Sequence, residues 1–404
     1  MKIDSFFATR NSRMKASEIR ELLKLLDQPD VISFAGGIPD PALFPAEKFR
    51  DAMAVALSDG QHALSLQYST SEGYPPLRQW IAERMTQLGV PCGADNILIT
   101  SGSQQALDYL GKLFLSPGDT ALVGWPTYLG ALGAFNAYEP RFDRLDPMGN
   151  RSADELRAEA EAAGGRVKFS YLSPDFANPT GITLSLEERQ KVLAQAEALD
   201  CVVIEDAAYQ SLRYEGEDIP PILALELAEK GDLDQCRTIY CGSFSKTLSP
   251  GLRIGWVCAA RPVIDQMVLL KQAGDLHTAT LNQMAVAHVA ADGFEEHTQR
   301  LCAHYKARRD RMLAALTRHM PDGVDWTHPE GGMFVWMTLP AGMDGADLLA
   351  TALRDEKVAF VPGGAFYPDD DGRNTLRLNF SSPDQVQIDE GIARLGRVIT
   401  EALA

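Results

Sequence analysis

A lysine set among hydroxyls, with an arginine seven residues further on, has what is needed to hold a phosphorylated aldehyde. Residues 243–253 read Ser-Phe-Ser-Lys-Thr-Leu-Ser-Pro-Gly-Leu-Arg. As a neutral amine, Lys246 can condense with an aldehyde, and Ser243 and Ser245 can bind a phosphate on the same molecule. Arg253 suits that phosphate because a guanidinium grips it with two parallel N–H donors. The same run also reads as a solvated polar loop, so its meaning depends on what else the chain supplies.

Three distant segments supply it. Ser101-Gly102-Ser103-Gln104-Gln105 follows the apolar run Ile97–Thr100 and opens a helical pattern. The first N–H groups of a helix are unpaired and carry partial positive charge, so they attract anions. Gly102 permits close approach there, and Ser103 offers both a helix cap and a phosphate donor. Asp206 ends another apolar run, with Tyr209 one turn on. A carboxylate at such depth needs a cation, and a protonated pyridine nitrogen would serve. Holding that proton keeps the ring an electron sink. Glu205 is the rival carboxylate, but in a regular strand it points to the opposite face. Asn178-Pro179-Thr180-Gly181 offers an amide for the ring's phenolate oxygen, as does the Tyr209 hydroxyl, and its proline permits a cis peptide. Taken singly, these segments also read as a capped helix, a capping Asp and a plain turn. Taken together they describe a site for pyridoxal 5′-phosphate (PLP). Lys246 must lose a proton to react, and nearby cations with desolvation would lower its pKa.

The elements that must position these residues alternate along the chain. Candidate strands are 97–100, 121–124, 167–172, 202–205, 238–241 and 255–259, with helices such as Ser103–Phe114 and Leu186–Leu199 between them. Near-continuous apolar strands separated by helices predict an α/β fold with a mostly parallel sheet covered on both faces. Ligands in such sheets bind beyond the strands' carboxyl ends, and each motif begins where a strand ends. A long helical stretch from about 281 to 320 leads to further strands at 358–361 and 376–380, which predicts a smaller α+β domain. The expected division is an N-terminal segment 1–44, with a short helix at 16–26, packing on the small domain and covering the site. A large domain then spans 45–294 and a small C-terminal domain 295–404.

Composition narrows the function classes. The 404 residues carry a formal charge of −17, which argues against nucleic-acid binding. An anion site must therefore be a local pocket of donors. No apolar run is long enough for a membrane span, and the first residues hold too short an apolar patch for a secretory signal. Six cysteines without a Cys-x-x-Cys pair and seven scattered histidines suggest reduced thiols, no metal site and a cytoplasmic protein.

In this order and spacing, the four motifs resemble those of the fold-type-I PLP-dependent aminotransferases of class I/II, over nearly the whole chain. Ile32-Ser-Phe-Ala-Gly-Gly-Ile-Pro, Leu66-Gln-Tyr-Ser-Thr-Ser-Glu-Gly-Tyr74, Asp275-Leu-His-Thr and Gly331-Gly-Met-Phe-Val-Trp resemble the 2-aminoadipate and kynurenine/aminoadipate branch. The resemblance implies a seven-stranded large-domain sheet. It implies Lys246 as the cofactor-bonding lysine, Asp206 as the ring-nitrogen partner, and Tyr128 as the catalytic residue stacked on the ring. Asn178 and Tyr209 would hold the phenolate oxygen; Ser103, Gln104, Ser243, Ser245 and Arg253 would hold the phosphate. Tyr68 would reach that phosphate from a second subunit, making the active unit a homodimer. Arg377 would clamp the substrate α-carboxylate, with Gly37 and Asn178 lining the same site. Arg20 would recognise a distal carboxylate, against the plainer reading of a solvated arginine pairing with Glu21 or Asp27. The implied activity is ping-pong transfer of an amino group from a range of L-amino acids to 2-oxoglutarate. A β-lyase, decarboxylase or racemase on the same scaffold is the alternative, and a PLP-sensing regulatory module a more distant one.

Overall fold

The computed structural model describes residues 3–14 and 30–404; the expected helix at 16–26 and Arg20 lie outside them. After two short 3-10 helices at Ile3–Phe6 and Thr9–Arg13, the described chain has the two-residue strand β1 (Ile32–Ser33) and then builds a seven-stranded sheet. Its strands are β2 (Ile97–Thr100), β3 (Thr120–Val123), β4 (Arg141–Arg144), β5 (Val167–Leu172), β6 (Val202–Asp206), β7 (Thr238–Ser243) and β8 (Gly255–Cys258). In space the order is β2-β8-β7-β6-β5-β3-β4. Within this sheet β8 runs against both neighbours, and the pairs from β7 to β4 are parallel. Every residue of β2, β3, β7 and β8 is buried, as expected for strands covered on both faces.

β4 has no counterpart among the six candidate strands. Its sequence, Arg-Phe-Asp-Arg, is charged and only half buried because it lies at the sheet edge. Charged side chains there discourage pairing with another chain, and they also erase the apolar signal of a strand. The helices Ser103–Phe114 and Leu186–Leu199 have the predicted bounds. The second starts at a capping box in which Ser185 and Glu188 satisfy each other's backbone N–H groups.

The reversal of β8 matters for the site. Thr100 of β2 and Ser243 of β7 both sit opposite Gly255. The segment entering β8, with Arg253, therefore lies at the same sheet edge as the ends of β2 and β7. Two motifs far apart in sequence, the 101–105 helix start and the 243–253 run, meet at this edge.

The predicted helical stretch from 281 to 320 is two helices, Thr280–Ala291 and Phe294–His319. They break at Gly293, whose φ of +82° favours glycine. Beyond lie β9 (Asp325–Trp326), β10 (Phe334–Thr338), β11 (Val358–Ala359), β12 (Val361–Pro362) and β13 (Thr375–Asn379). β12, β13, β10 and β9 form an antiparallel sheet in that order. The single strand expected at 358–361 divides at Phe360, because β11 pairs in parallel with β1 instead. Phe34 and Ala35, just after β1, are buried among Phe334, Leu376 and Ile388. The segment around residues 32–35 is thus fastened to the C-terminal part.

Candidate active site

The end of β2 makes the first wall. Gly102 caps the helix Ser103–Phe114 with φ +80°. Ser103 is the first helical residue rather than the cap, which corrects the expected capping role. A Cβ on Gly102 would lie 2.3 Å from Arg253 Nη2; only glycine lets the guanidinium cross the helix start. Arg253 donates to the carbonyls of Pro250 (3.3 Å) and Ser101 (3.5 Å) and forms no ion pair among the described residues. Ser243 Oγ accepts the Ser245 N–H at 3.1 Å, tightening the turn that carries Lys246. The Gln104 side chain donates to Gly130 O at 2.7 Å and faces the Tyr128 hydroxyl at 3.4 Å. Its amide donor is therefore turned toward the Tyr128 segment, and its backbone N–H is what faces the helix start.

The ends of β5, β6 and β7 make the second wall. Asp206 is buried, and its Oδ2 accepts the Tyr171 hydroxyl at 2.8 Å. Its Oδ1 has no hydrogen-bond partner among the described residues. Burial raises the Asp206 carboxyl to about 6, although Tyr171, the Ala208 amide and Lys246 pull the other way. Glu205 faces oppositely, as alternation requires, and its two oxygens accept the Ile222 and Leu223 N–H groups at 2.8 and 3.0 Å. It caps the helix Ile222–Lys230 and is spent on structure. Lys246 Nζ donates to Gly37 O at 2.7 Å and lies 5.8 Å from the Tyr209 ring centre. Desolvation first, then the charges of Arg377 and Arg253, lower its ammonium to about 8.

Arg377 closes the site from β13. It is almost wholly buried, donating to Asn178 Oδ1 (2.8 Å) and Ala35 O (2.9 Å). The rings of Phe334 and Phe366 lie 4.3 and 5.0 Å from its guanidinium carbon. Its Nε has no partner, and no carboxylate pairs with it among the described residues. Desolvation lowers its pKa to about 10. The Asn178–Pro179 peptide is cis, the form the sequence permits. A Cβ on Gly37 would lie 3.1 Å from the Phe334 ring and 3.9 Å from Arg377 Nη2, so Gly37 borders the arginine as well as the lysine. Tyr209 is buried and its hydroxyl pKa is raised, chiefly by desolvation; Tyr128, half-buried, is raised for the same reason. Tyr68 stands apart, 78% exposed and edge-on to His277.

These residues fit a phosphorylated pyridine aldehyde. Asp206 offers an unpartnered buried oxygen for a protonated ring nitrogen, and the glycine-shaped helix start with Arg253 offers a cradle for a dianion. Tyr171 is the residue that sequence reasoning passes over. Its signal lies in the register: it sits opposite Ile204, hence diagonal to Asp206 on the same face.

A half-buried amine with its pKa lowered toward 8, a free carboxylate oxygen and an arginine without an ion pair among the described residues lie together at the carboxyl edge of a mostly parallel sheet, an arrangement suited to an enzyme that holds an aldehyde cofactor. The family model for aminotransferase class I and II matches residues 29–395, and the chain belongs to that family. It is 44% identical over 398 residues to a 2-aminoadipate transaminase of Thermus thermophilus, covering 98% of this chain and 97% of the relative. It is 43% identical over 406 residues to aromatic-amino-acid aminotransferase 1 of Thermococcus litoralis, covering 99% and 95%. Among solved structures it is similar to the Thermus thermophilus alpha-aminoadipate aminotransferase LysN in complex with N-(5′-phosphopyridoxyl)-L-leucine. That match has a TM-score of 0.88 and 41% identity, covering 100% of this chain and 99% of the other.

Proposed function

We propose that this chain is a broad-range PLP-dependent aminotransferase that takes amino groups from acidic, apolar and aromatic L-amino acids and passes them to 2-oxoglutarate. Aminotransferase activity with PLP follows from the family and the site; the range is our reading. The observation that carries the cofactor and α-carboxylate roles is a pair of buried polar atoms without hydrogen-bond partners among the described residues, Asp206 Oδ1 and Arg377 Nε. Each is a buried group of high desolvation cost left without its full set of partners.

When bound, the cofactor supplies an aldehyde for the amino group and a ring that takes up the electron pair released at the α-carbon. Asp206 would hold the proton on the ring nitrogen. Arg377 binds the substrate α-carboxylate, for which a planar guanidinium is the best-matched donor. Lys246, with its pKa lowered to about 8, would be neutral often enough to bond the cofactor and then to move the α-proton. Asn178 and Tyr209 would hold the phenolate oxygen, and Tyr128 would stack on the ring. The N–H groups of Ser103 and Gln104 hold the phosphate together with Ser243, Ser245 and Arg253. The 1–44, 45–294 and 295–404 division is the one in which this site lies between two domains.

A homodimer is part of the proposal. Tyr68 is exposed together with Leu57 (47%), Leu64 (46%) and Leu66 (67%), an apolar stretch suited to a second copy whose site Tyr68 would complete. We place the protein in the cytoplasm; among the described residues no helix is long and apolar enough to cross a membrane. Arg20 would select distal carboxylates. Arg20→Ala should raise the KM for glutamate more than that for leucine, and equal effects would remove the role.

The relatives' names, one for 2-aminoadipate and one for aromatic amino acids, support breadth rather than a single donor. The test is a half-turn. Amino acid added to the loaded enzyme without an acceptor should yield about one equivalent of 2-oxo acid per site and then stop, as ping-pong kinetics require. Continuous release of product from the amino acid alone would instead mark a lyase, decarboxylase or racemase.

A further inference from the structure

The helix start that receives the phosphate is gripped from behind by a buried cation. Lys271, in the helix Arg261–Gly274, has a side chain with no solvent exposure. Its Nζ donates to Gln105 Oε1 at 2.8 Å and to both oxygens of Asp275 at 3.0 and 3.1 Å. Asp275 also accepts from Ser101 Oγ at 3.0 Å and Gln105 Nε2 at 2.8 Å, with the Tyr109 hydroxyl at 3.4 Å. Gln105 Oε1 accepts the Ser101 N–H at 2.8 Å, and Ser101 Oγ lies 3.2 Å from Thr278 Oγ1. Ser101 is thus held at both its N–H and its hydroxyl. Its carbonyl, in turn, accepts from Arg253 Nη2.

Burying an ammonium is costly, and an apolar side chain of similar length would fill the space at lower cost. The network must therefore be explained by what it fixes. What it fixes is the residue immediately before Gly102, Ser103 and Gln104. Lys271 has no hydrogen bond to Lys246, Asp206 or Arg377, so its reach is the phosphate end alone.

We propose that Lys271, acting through Asp275 and Gln105, is a positioning residue for the cofactor phosphate. It locks Ser101 so that the helix-start N–H groups and Arg253 converge on the phosphate before it arrives. The proposal rests on the PLP reading given above, and it separates retention of the cofactor from the chemistry done on it.

Equilibrium dialysis of the loaded enzyme against falling PLP measures that retention. Lys271→Met should raise the dissociation constant about tenfold, the loss expected from one set of charge-assisted hydrogen bonds. Its kcat at saturating PLP should stay within about twofold of wild type, because the groups at the reacting carbon are untouched. Ser101→Ala, which removes a single hydroxyl, should move the constant the same way by about threefold, and the double variant should fall short of the product of the two. An unchanged constant in Lys271→Met, or a kcat that falls as far as the affinity, overturns the positioning role. If Lys271→Met does not fold, an unchanged constant in Ser101→Ala overturns it equally. Wild-type protein that retains no PLP would instead sink the cofactor reading itself.

Discussion

The two ends of the site are built from different materials. The phosphate end is mostly backbone: a helix start, a serine-rich turn and a glycine that makes room for an exposed arginine. The proposed reacting end is side chains, Asp206 and Arg377 buried and Lys246 half-buried, each shifted toward its neutral form chiefly by desolvation. Backbone donors cost little to keep ready because their helix leaves them unpaired in any case. Buried charges are costly to keep, so the reacting end holds most of the electrostatic strain. Substitutions there should change chemistry, and substitutions at the phosphate end should change retention.

The largest break in this comparison is Lys246→Ala. Turnover should fall by at least about 10³-fold, since both the attacking amine and the proton carrier vanish. Borohydride should no longer fix the cofactor to the chain, although dialysis should still find it bound through its phosphate. A variant keeping even a tenth of the wild-type kcat, by about the standard of general acid–base loss, would remove Lys246 from the mechanism. Next is Arg377→Met, which leaves the cofactor in place. Here kcat/KM for every amino acid should fall by about 10²-fold, carried mainly by KM, from loss of a bidentate charge-assisted contact. A fall confined to acidic substrates would give Arg377 a side-chain role instead. Gly102→Ala probes the other end. The new methyl collides with Arg253 and demands a φ that alanine resists. The PLP dissociation constant should rise about tenfold, an expectation scaled to a 1–2 kcal/mol conformational penalty, with kcat at saturation nearly unchanged.

How much of this was legible in the sequence follows the same division. The proposed phosphate end is read from local signals, because glycine, serine and helix-start patterns are local. The choice of Asp206 over Glu205 was also legible, since strand alternation alone separates their faces; Glu205 proves to be a buried helix cap. Three things needed the fold. β4 is an edge strand whose charges hide it. The Gln104 side chain is committed to Gly130, a contact no local pattern announces. Tyr171 and Lys271 act through neighbours 35 and 166 residues away, and such pairings exist only once strand register and helix packing are set. Arg20 lies outside the described residues and stays a sequence expectation.

The smallest expected effect asks whether the reacting end pays in stability for its readiness. Desolvation lowers the Lys246 ammonium in the folded protein to about 8, from the 10.5 of a free lysine. For a base depressed by folding, the unfolded chain binds more protons between those two values, so stability rises with pH across that window. Below about pH 8 both states are charged and the full penalty of burying the ammonium applies. In cofactor-free protein, Lys246→Met should therefore raise thermal stability at pH 7 by on the order of 1–2 kcal/mol, after the lost bond to Gly37 is set against it. The advantage should shrink steadily from pH 8 and be nearly gone by pH 10.5. Calorimetric melting of both proteins across that range checks it. A stability difference that ignores pH would mean the amine is not strained by its site, and that its reactivity must come from the cofactor alone.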